Sequence, residues 1–265
     1  MLCGTDNENK QGDDGMKCPL VAFIKDVFRN EKYTNAVIGV SGGIDSATSL
    51  TLTVGALGRN NVYPVLLPYG SLNNQGTKDA QVVMDWLGIP KKNVLTVPIK
   101  PMVDAAELVL DPAMDEGRKG NVMARMRMVV LYDFAKAMPA MVVGTENKTE
   151  HLLGYYTKFG DEASDVEPLR HLYKTQVYEL AQYLGIPKKI LTKPPTAGLW
   201  QGQTDEGEFG FTYRQADTIL SLFIDEHKTK KQIVAMGFNK DIIKRLWWWI
   251  DKGALKARLP YCIKK

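Results

Sequence analysis

Six consecutive residues, Ser41-Gly42-Gly43-Ile44-Asp45-Ser46, place two hydroxyls and one carboxylate around two glycines. Small residues let backbone N–H groups approach an anion, and hydroxyls can donate to phosphate oxygens. A carboxylate does not sit bare beside phosphate, so Asp45 implies a bridging cation, with Mg2+ the natural match for hard oxygen donors. The segment has neither the G-x-x-x-x-G-K-[ST] of P-loop ATPases nor the G-x-G-x-x-G of dinucleotide-binding folds. The plain alternative is an ordinary turn in which Asp45 or Ser46 caps a helix.

A second set of chemical groups follows a later apolar run: Gly144-Thr145-Glu146-Asn147-Lys148-Thr149-Glu150, then Lys158, Asp161 and Asp165. Glu146 and Glu150 are four apart and are expected to share a helix face. Glu150 is then placed to complete a metal site with Asp45. The alternative is a solvated helix start, where the helix dipole favours acids.

The elements that must position these groups show in the apolar pattern. Strands are predicted at 36–40, 62–67, 93–97 and 140–143, the first two rich in β-branched residues. Helices are predicted at 19–30, from 47 to about 58, and at 77–87, 102–110, 121–137, 175–184, 212–225, 230–236 and 241–252. The 19–30 helix offers Leu20, Phe23, Ile24, Val27 and Phe28 as its apolar face. Strands alternating with helices at this spacing predict an α/β fold. The sheet would be doubly wound, open and mostly parallel, with helices on both faces and extra C-terminal helices. In such sheets ligands sit beyond the carboxyl ends of the strands, where both chemical segments fall. The stretches 155–168 and 194–211 read as polar loops able to order on binding. Residues 1–15 read as a disordered leader and 16–265 as one domain.

With 34 basic and 30 acidic residues the net charge is +4, which suits an anionic small substrate and does not call for nucleic acid. No apolar run reaches the roughly 20 residues of a membrane helix. Three scattered cysteines, Cys3, Cys18 and Cys262, argue against a disulfide scaffold or zinc site and for a reducing compartment, the cytoplasm by default. Trp247-Trp248-Trp249 cannot all face one core, because helical neighbours point about 100° apart. One is expected to be buried, another to cover a neighbour or a subunit interface.

The hexapeptide resembles the signature of the PP-loop ATP pyrophosphatases, whose fold is adenine nucleotide alpha-hydrolase-like. These enzymes cleave ATP between its α- and β-phosphates and pass AMP to a substrate oxygen. The run GTENKTEHLLGYYTKFGDEASDVEPL, with ARMRMVVLYDFA, LYKTQVYELAQYLGIP and KPPTAGLWQGQTDEGEFGFTY, is similar to the ammonia-dependent NAD synthetase family. The resemblance implies ATP-dependent amidation of deamido-NAD with ammonia, giving NAD+, AMP and pyrophosphate, by a cytoplasmic homodimer that uses Mg2+. It assigns Gly39, Val40, Ser41, Gly42, Gly43, Ile44, Asp45 and Ser46 to the ATP phosphates, with Thr145, Lys174 and Thr196 as further ATP contacts. Asp45 and Glu150 would hold the metal, and with Lys174 would carry catalysis. Arg125, Lys158 and Asp165 match deamido-NAD contacts. Leu255-Lys256-Ala257-Arg258 departs from the family's His-Lys-Arg, so only Lys256 is carried over. Another AMP-forming amidase, such as a GMP synthetase-like core, or a non-catalytic nucleotide-binding relative would share the hexapeptide.

Overall fold

The computed structural model describes residues 18–258 and 260–263. The leader at 1–15 lies outside the described residues. Four strands, β1 (Asn35–Gly39), β2 (Val62–Leu66), β3 (Leu95–Thr96) and β4 (Ala140–Val143), form one parallel sheet in the order β3-β2-β1-β4. The helices are α1 (Pro19–Asn30), α2 (Ile44–Leu57), α3 (Asn74–Trp86), α4 (Lys100–Leu110), α5 (Glu116–Ala137) and α6 (Lys148–Leu153), with α7 (Lys174–Tyr183), α8 (Lys188–Leu191), α9 (Asp205–Phe209), α10 (Tyr213–Ile224), α11 (Lys230–Ala235) and α12 (Lys240–Gly253) after them.

The sheet is buried on both faces, as parallel sheets must be. Ala36 and Ile38 of β1, with Val62, Leu66, Met141 and Val143, face one core beside α1, α2 and α7. Val37, Val65, Ala140 and Val142 face the other, beside Val130 of α5. The period-2 alternation of a strand thus survives although nearly every residue is apolar. The chain winds outward from β1 to β3, then returns to lay β4 on the other side of β1. Strand order therefore reverses between β1 and β4, which opens a crevice at their carboxyl ends.

A third core sits beyond the sheet, where Leu153, Phe209, Phe211, Leu220, Ile233, Leu246 and Trp247 join α6, α9, α10, α11 and α12. The tryptophan run divides as its spacing requires. Trp247 is buried, Trp249 packs edge-on to Phe209 at 5.3 Å, and Trp248 stays 51% exposed.

Several sequence expectations move. In α1 the buried set is Leu20, Val21, Ile24 and Phe28, while Phe23 is 45% exposed. Helix α2 begins at Ile44, not at residue 47, because Gly43 is its N-cap; Asp45 and Ser46 therefore lie inside the first turn. The 194–211 stretch is not all loop, since α9 forms within it. Cys18 is buried, and Cys262 is an exposed free thiol. No helix among the described residues is long and apolar enough to cross a membrane.

Candidate active site

The crevice holds a cavity of about 830 Å³. Its floor is the turn from β1 into α2, and every residue from Gly39 to Ser46 except Gly42 lines it. Ser41 Oγ and Ser46 Oγ lie 3.1 Å apart, and Ser46 Oγ donates to the Gly43 carbonyl at 3.1 Å. No side chain caps the N-terminus of α2. Its first N–H groups are thus left to meet an anion, as a phosphate cradle requires. The turn itself needs glycine: Gly42 has φ +75°, and a Cβ there would lie 2.2 Å from the Gly76 carbonyl oxygen of α3.

Lys174 is the centre of the site. Its side chain is 2% exposed, and its Nζ donates to Asp45 Oδ2 at 2.6 Å and Glu150 Oε1 at 2.9 Å. The three side chains come from α2, α6 and α7, brought together by the sheet crossover. Burial alone would lower the Lys174 ammonium, but Asp45 and Glu150 outweigh it and hold it above the ordinary lysine range. Burial pushes the Glu150 carboxyl up to about 8 against the pull of Lys174, because Asp45 shares the same ammonium.

Supporting contacts fix these groups in place. Asn147 caps α6 through Glu150 N and donates Nδ2 to Asp45 Oδ1 at 2.9 Å. Buried Asp217 on α10 accepts from Thr149 Oγ1 at 2.5 Å and from Thr175 N at 2.8 Å, and Thr149 Oγ1 in turn accepts from Lys174 N. That chain anchors the start of α7. Tyr213 OH donates to Asp205 Oδ2 at 2.9 Å and lies 3.4 Å from Glu150 Oε1. Asp205 Oδ1 accepts from Ala197 N and Tyr155 OH, which ties the loop before α9 to the site.

Thr145 and Thr196 line the cavity; Thr196 Oγ1 donates to the Gln203 carbonyl at 2.7 Å. Arg125, Lys158, Asp165 and Lys256 do not line it. Arg125 is exposed and donates to the Lys158 carbonyl, and Lys158 Nζ reaches the Arg258 carbonyl at 2.9 Å. Lys256 Nζ donates to the carbonyls of Gly154 and Tyr156, and Asp165 Oδ2 accepts from Val142 N at 2.7 Å. Arg127, two residues after Arg125, does line the cavity, with Nε donating to the Leu67 carbonyl.

Glu146 does not share a face with Glu150. It precedes the cap of α6, and its Oε2 lies 2.6 Å from Arg170 Nη2. Glu167 sits beside it, accepting from Glu146 N and Ser164 Oγ. Burial, reinforced by Glu146, pushes the Glu167 carboxyl up to about 8 although the Ser164 hydrogen bond opposes this. A carboxyl raised from its ordinary 4.5 binds more protons folded than unfolded, so its contribution is present below 4.5 and is lost as pH rises toward 8. Glu167→Gln should therefore match wild type in Tm at pH 4.5 and exceed it by about 2–4 °C at pH 8, the shift that ~1 kcal/mol gives a domain of this size. Thermal melts at both pH values check this; an equal difference at both would contradict it.

Among the described residues no cluster of three or more His, Cys, Asp or Glu side chains forms a metal cage. Asp45 and Glu150 nevertheless fit Mg2+ through their donor chemistry. Two carboxylates bordering a phosphate cradle, with substrate phosphates to complete the shell, is how Mg2+ is commonly held.

The NAD synthase family model matches residues 18–260. The chain belongs to the NAD synthase family. It is 41% identical over 245 residues to an NH(3)-dependent NAD(+) synthetase of Fusobacterium nucleatum, covering 92% of this chain and 93% of that one. Among solved structures it is similar to an NMN synthetase from Francisella tularensis, with TM-score 0.82 and 36% identity over 93% of this chain and 96% of the other. It is also similar to an NH3-dependent NAD synthetase from Campylobacter jejuni in complex with nitrate, with TM-score 0.76 and 28% identity over the same shares. This NAD synthase-type chain therefore shares its fold and most of its length with ammonia-dependent ligases.

Proposed function

We propose that this NAD synthase family member amidates the nicotinate carboxylate of deamido-NAD with ammonia, consuming ATP and releasing AMP and pyrophosphate. The observation that carries the reading is the Lys174 ammonium clamped between Asp45 and Glu150 at the edge of an uncapped phosphate cradle. A carboxylate is a poor electrophile, and the residues present suit its activation. The cradle and Lys174 orient the triphosphate so that a substrate carboxylate oxygen bonds to the α-phosphorus as the bond to the β-phosphate oxygen breaks. Ammonia nitrogen then bonds to the activated carbonyl carbon; AMP departs with the bonding electrons, and the nitrogen sheds a proton. Asp45 and Glu150 would hold Mg2+, which when bound offsets charge on the departing pyrophosphate. Around the cradle, the preorganised ammonium and helix N–H groups supply electrostatic stabilisation without reorganisation.

Arg125, Lys158, Asp165 and Lys256 are proposed as contacts for the rest of the dinucleotide. They lie beyond the cavity lining, so the substrate would extend from the crevice toward the segment after α12. A homodimer is also proposed, because Leu108, Val109, Leu110 and Val129 leave apolar side chains exposed on α4 and α5. Sedimentation reading twice the 29.6 kDa chain mass would support it.

A mononucleotide substrate is the second reading, favoured by the likeness to the solved NMN synthetase. Incubation with ATP, Mg2+ and ammonium, and with deamido-NAD, nicotinate mononucleotide or xanthosine monophosphate in turn, separates the readings by product mass. Turnover with xanthosine monophosphate and not with either nicotinate would overturn both.

A further inference from the structure

Lys193 has no place in the chemistry above, yet it lines the same cavity. Its Nζ lies 2.9 Å from Asp79 Oδ2 and donates to the Gly42 carbonyl at 3.2 Å, so it already touches the phosphate cradle. Asp79 is 2% exposed, and its other oxygen takes Lys189 Nζ at 2.8 Å and Gln75 Nε2 at 2.7 Å.

Charge around the cavity is unevenly settled. Lys174 is matched by two carboxylates, and Lys100 is paired with Asp104. Lys189 and Lys193 share the single carboxylate of Asp79, which leaves one positive charge uncompensated beside the cradle. A triphosphate brings several negative charges there, and the Lys174 ammonium is already engaged by Asp45 and Glu150. The structure therefore holds a spare ammonium in contact with the cradle.

We propose that Lys193 is a second phosphate-binding cation for the ATP tail and its product pyrophosphate, exchanging the Gly42 carbonyl for a phosphate oxygen while Asp79 and Lys189 keep its position. Burial would raise the Asp79 carboxyl, but the two lysines and Gln75 outweigh it and hold it below the ordinary range, so it stays an anion. Lys193 also immediately precedes Pro194-Pro195, and residues 194–203 all line the cavity. The stiff proline pair makes Lys193 the fixed root of that wall, so phosphate contact would set where the wall begins. The inference rests on the ATP-dependent reading of the site, not on which acid is amidated.

Calorimetric titration of the full chain with Mg2+-pyrophosphate, ATP and AMP tests it without a second substrate. Lys193→Met should weaken pyrophosphate and ATP by about tenfold, as loss of a charge-assisted hydrogen bond does, and leave AMP unchanged. Lys193→Gln, which keeps a donor to Asp79, should show the same split if the methionine variant melts early. Lys188→Met, one residue away on the exposed side of α8 and outside the Asp79 pair, serves as control and should lose less than about threefold. A pyrophosphate loss below about threefold in both Lys193 variants, an equal loss for AMP, or an equal loss in Lys188→Met would overturn the proposal. If the wild type bound pyrophosphate and ATP but amidated no nicotinate, only the substrate assignment would fall.

Discussion

Lys174→Met is expected to cut kcat by roughly 10²–10³-fold, the usual cost of removing one preorganised electrostatic contact. It should also destabilise the fold, because Asp45 and Glu150 would face each other across a buried gap without their shared ammonium. Breaking such a pair commonly costs about 3–5 kcal/mol. Here the cost has an outlet. Burial already holds Glu150 near 8 with the ammonium present, so at neutral pH it keeps its proton in the variant and the two acids are not both charged. The sign follows: a carboxyl raised above its unfolded value loses stability as pH climbs from 4.5 through its folded pKa, so the Met variant's deficit in Tm should widen from pH 6 to pH 9. Lys174→Arg should not restore turnover. A planar guanidinium cannot take the place of a compact ammonium sitting 2.6 Å and 2.9 Å from two separate carboxylates. Melting curves and turnover at both pH values check this, and a Met variant with near-wild-type turnover would contradict it.

Asp45→Asn separates charge from shape. The amide keeps an acceptor for Asn147 Nδ2, and Lys174 keeps Glu150, so the loss in stability should stay near about 1 kcal/mol. Turnover should fall by roughly 10²-fold or more, because the neutral side chain no longer binds a cation beside the phosphates. Steady-state assays beside thermal melts decide the matter. Proportional losses in Tm and activity would make Asp45 a structural residue.

Asp45 and Glu150 were within reach of sequence reasoning because each comes shortly after a strand of the sheet, whereas Lys174, which opens α7, was reached only through the family resemblance. Apolar runs mark β1, β2 and β4, and parallel topology carries their carboxyl ends to one crevice whatever the details. Asp45 and Glu150 are found by that rule. Their supports are not. Asn147 reads as an ordinary loop asparagine until it proves to be both the α6 cap and a partner of Asp45. Asp217, Asp205 and Tyr213 lie on C-terminal helices whose polar residues look solvated, and only contacts spanning tens of residues reveal them. Glu146 illustrates the opposite error. Four-residue spacing implies a shared face only inside a helix, and the cap at Asn147 starts the helix too late to include it. Arg125 and Arg127 lie two residues apart on α5, so their side chains leave on nearly opposite faces, Arg125 exposed and Arg127 lining the cavity.

The central claim is that the substrate carboxylate is activated by AMP before ammonia attacks. Deamido-NAD labelled with 18O in its nicotinate carboxylate, turned over with ATP, Mg2+ and ammonium, tests this by mass analysis of the products. One labelled oxygen should appear in AMP and none in pyrophosphate. Label in pyrophosphate or inorganic phosphate, or amide formation with no label in AMP, would contradict it.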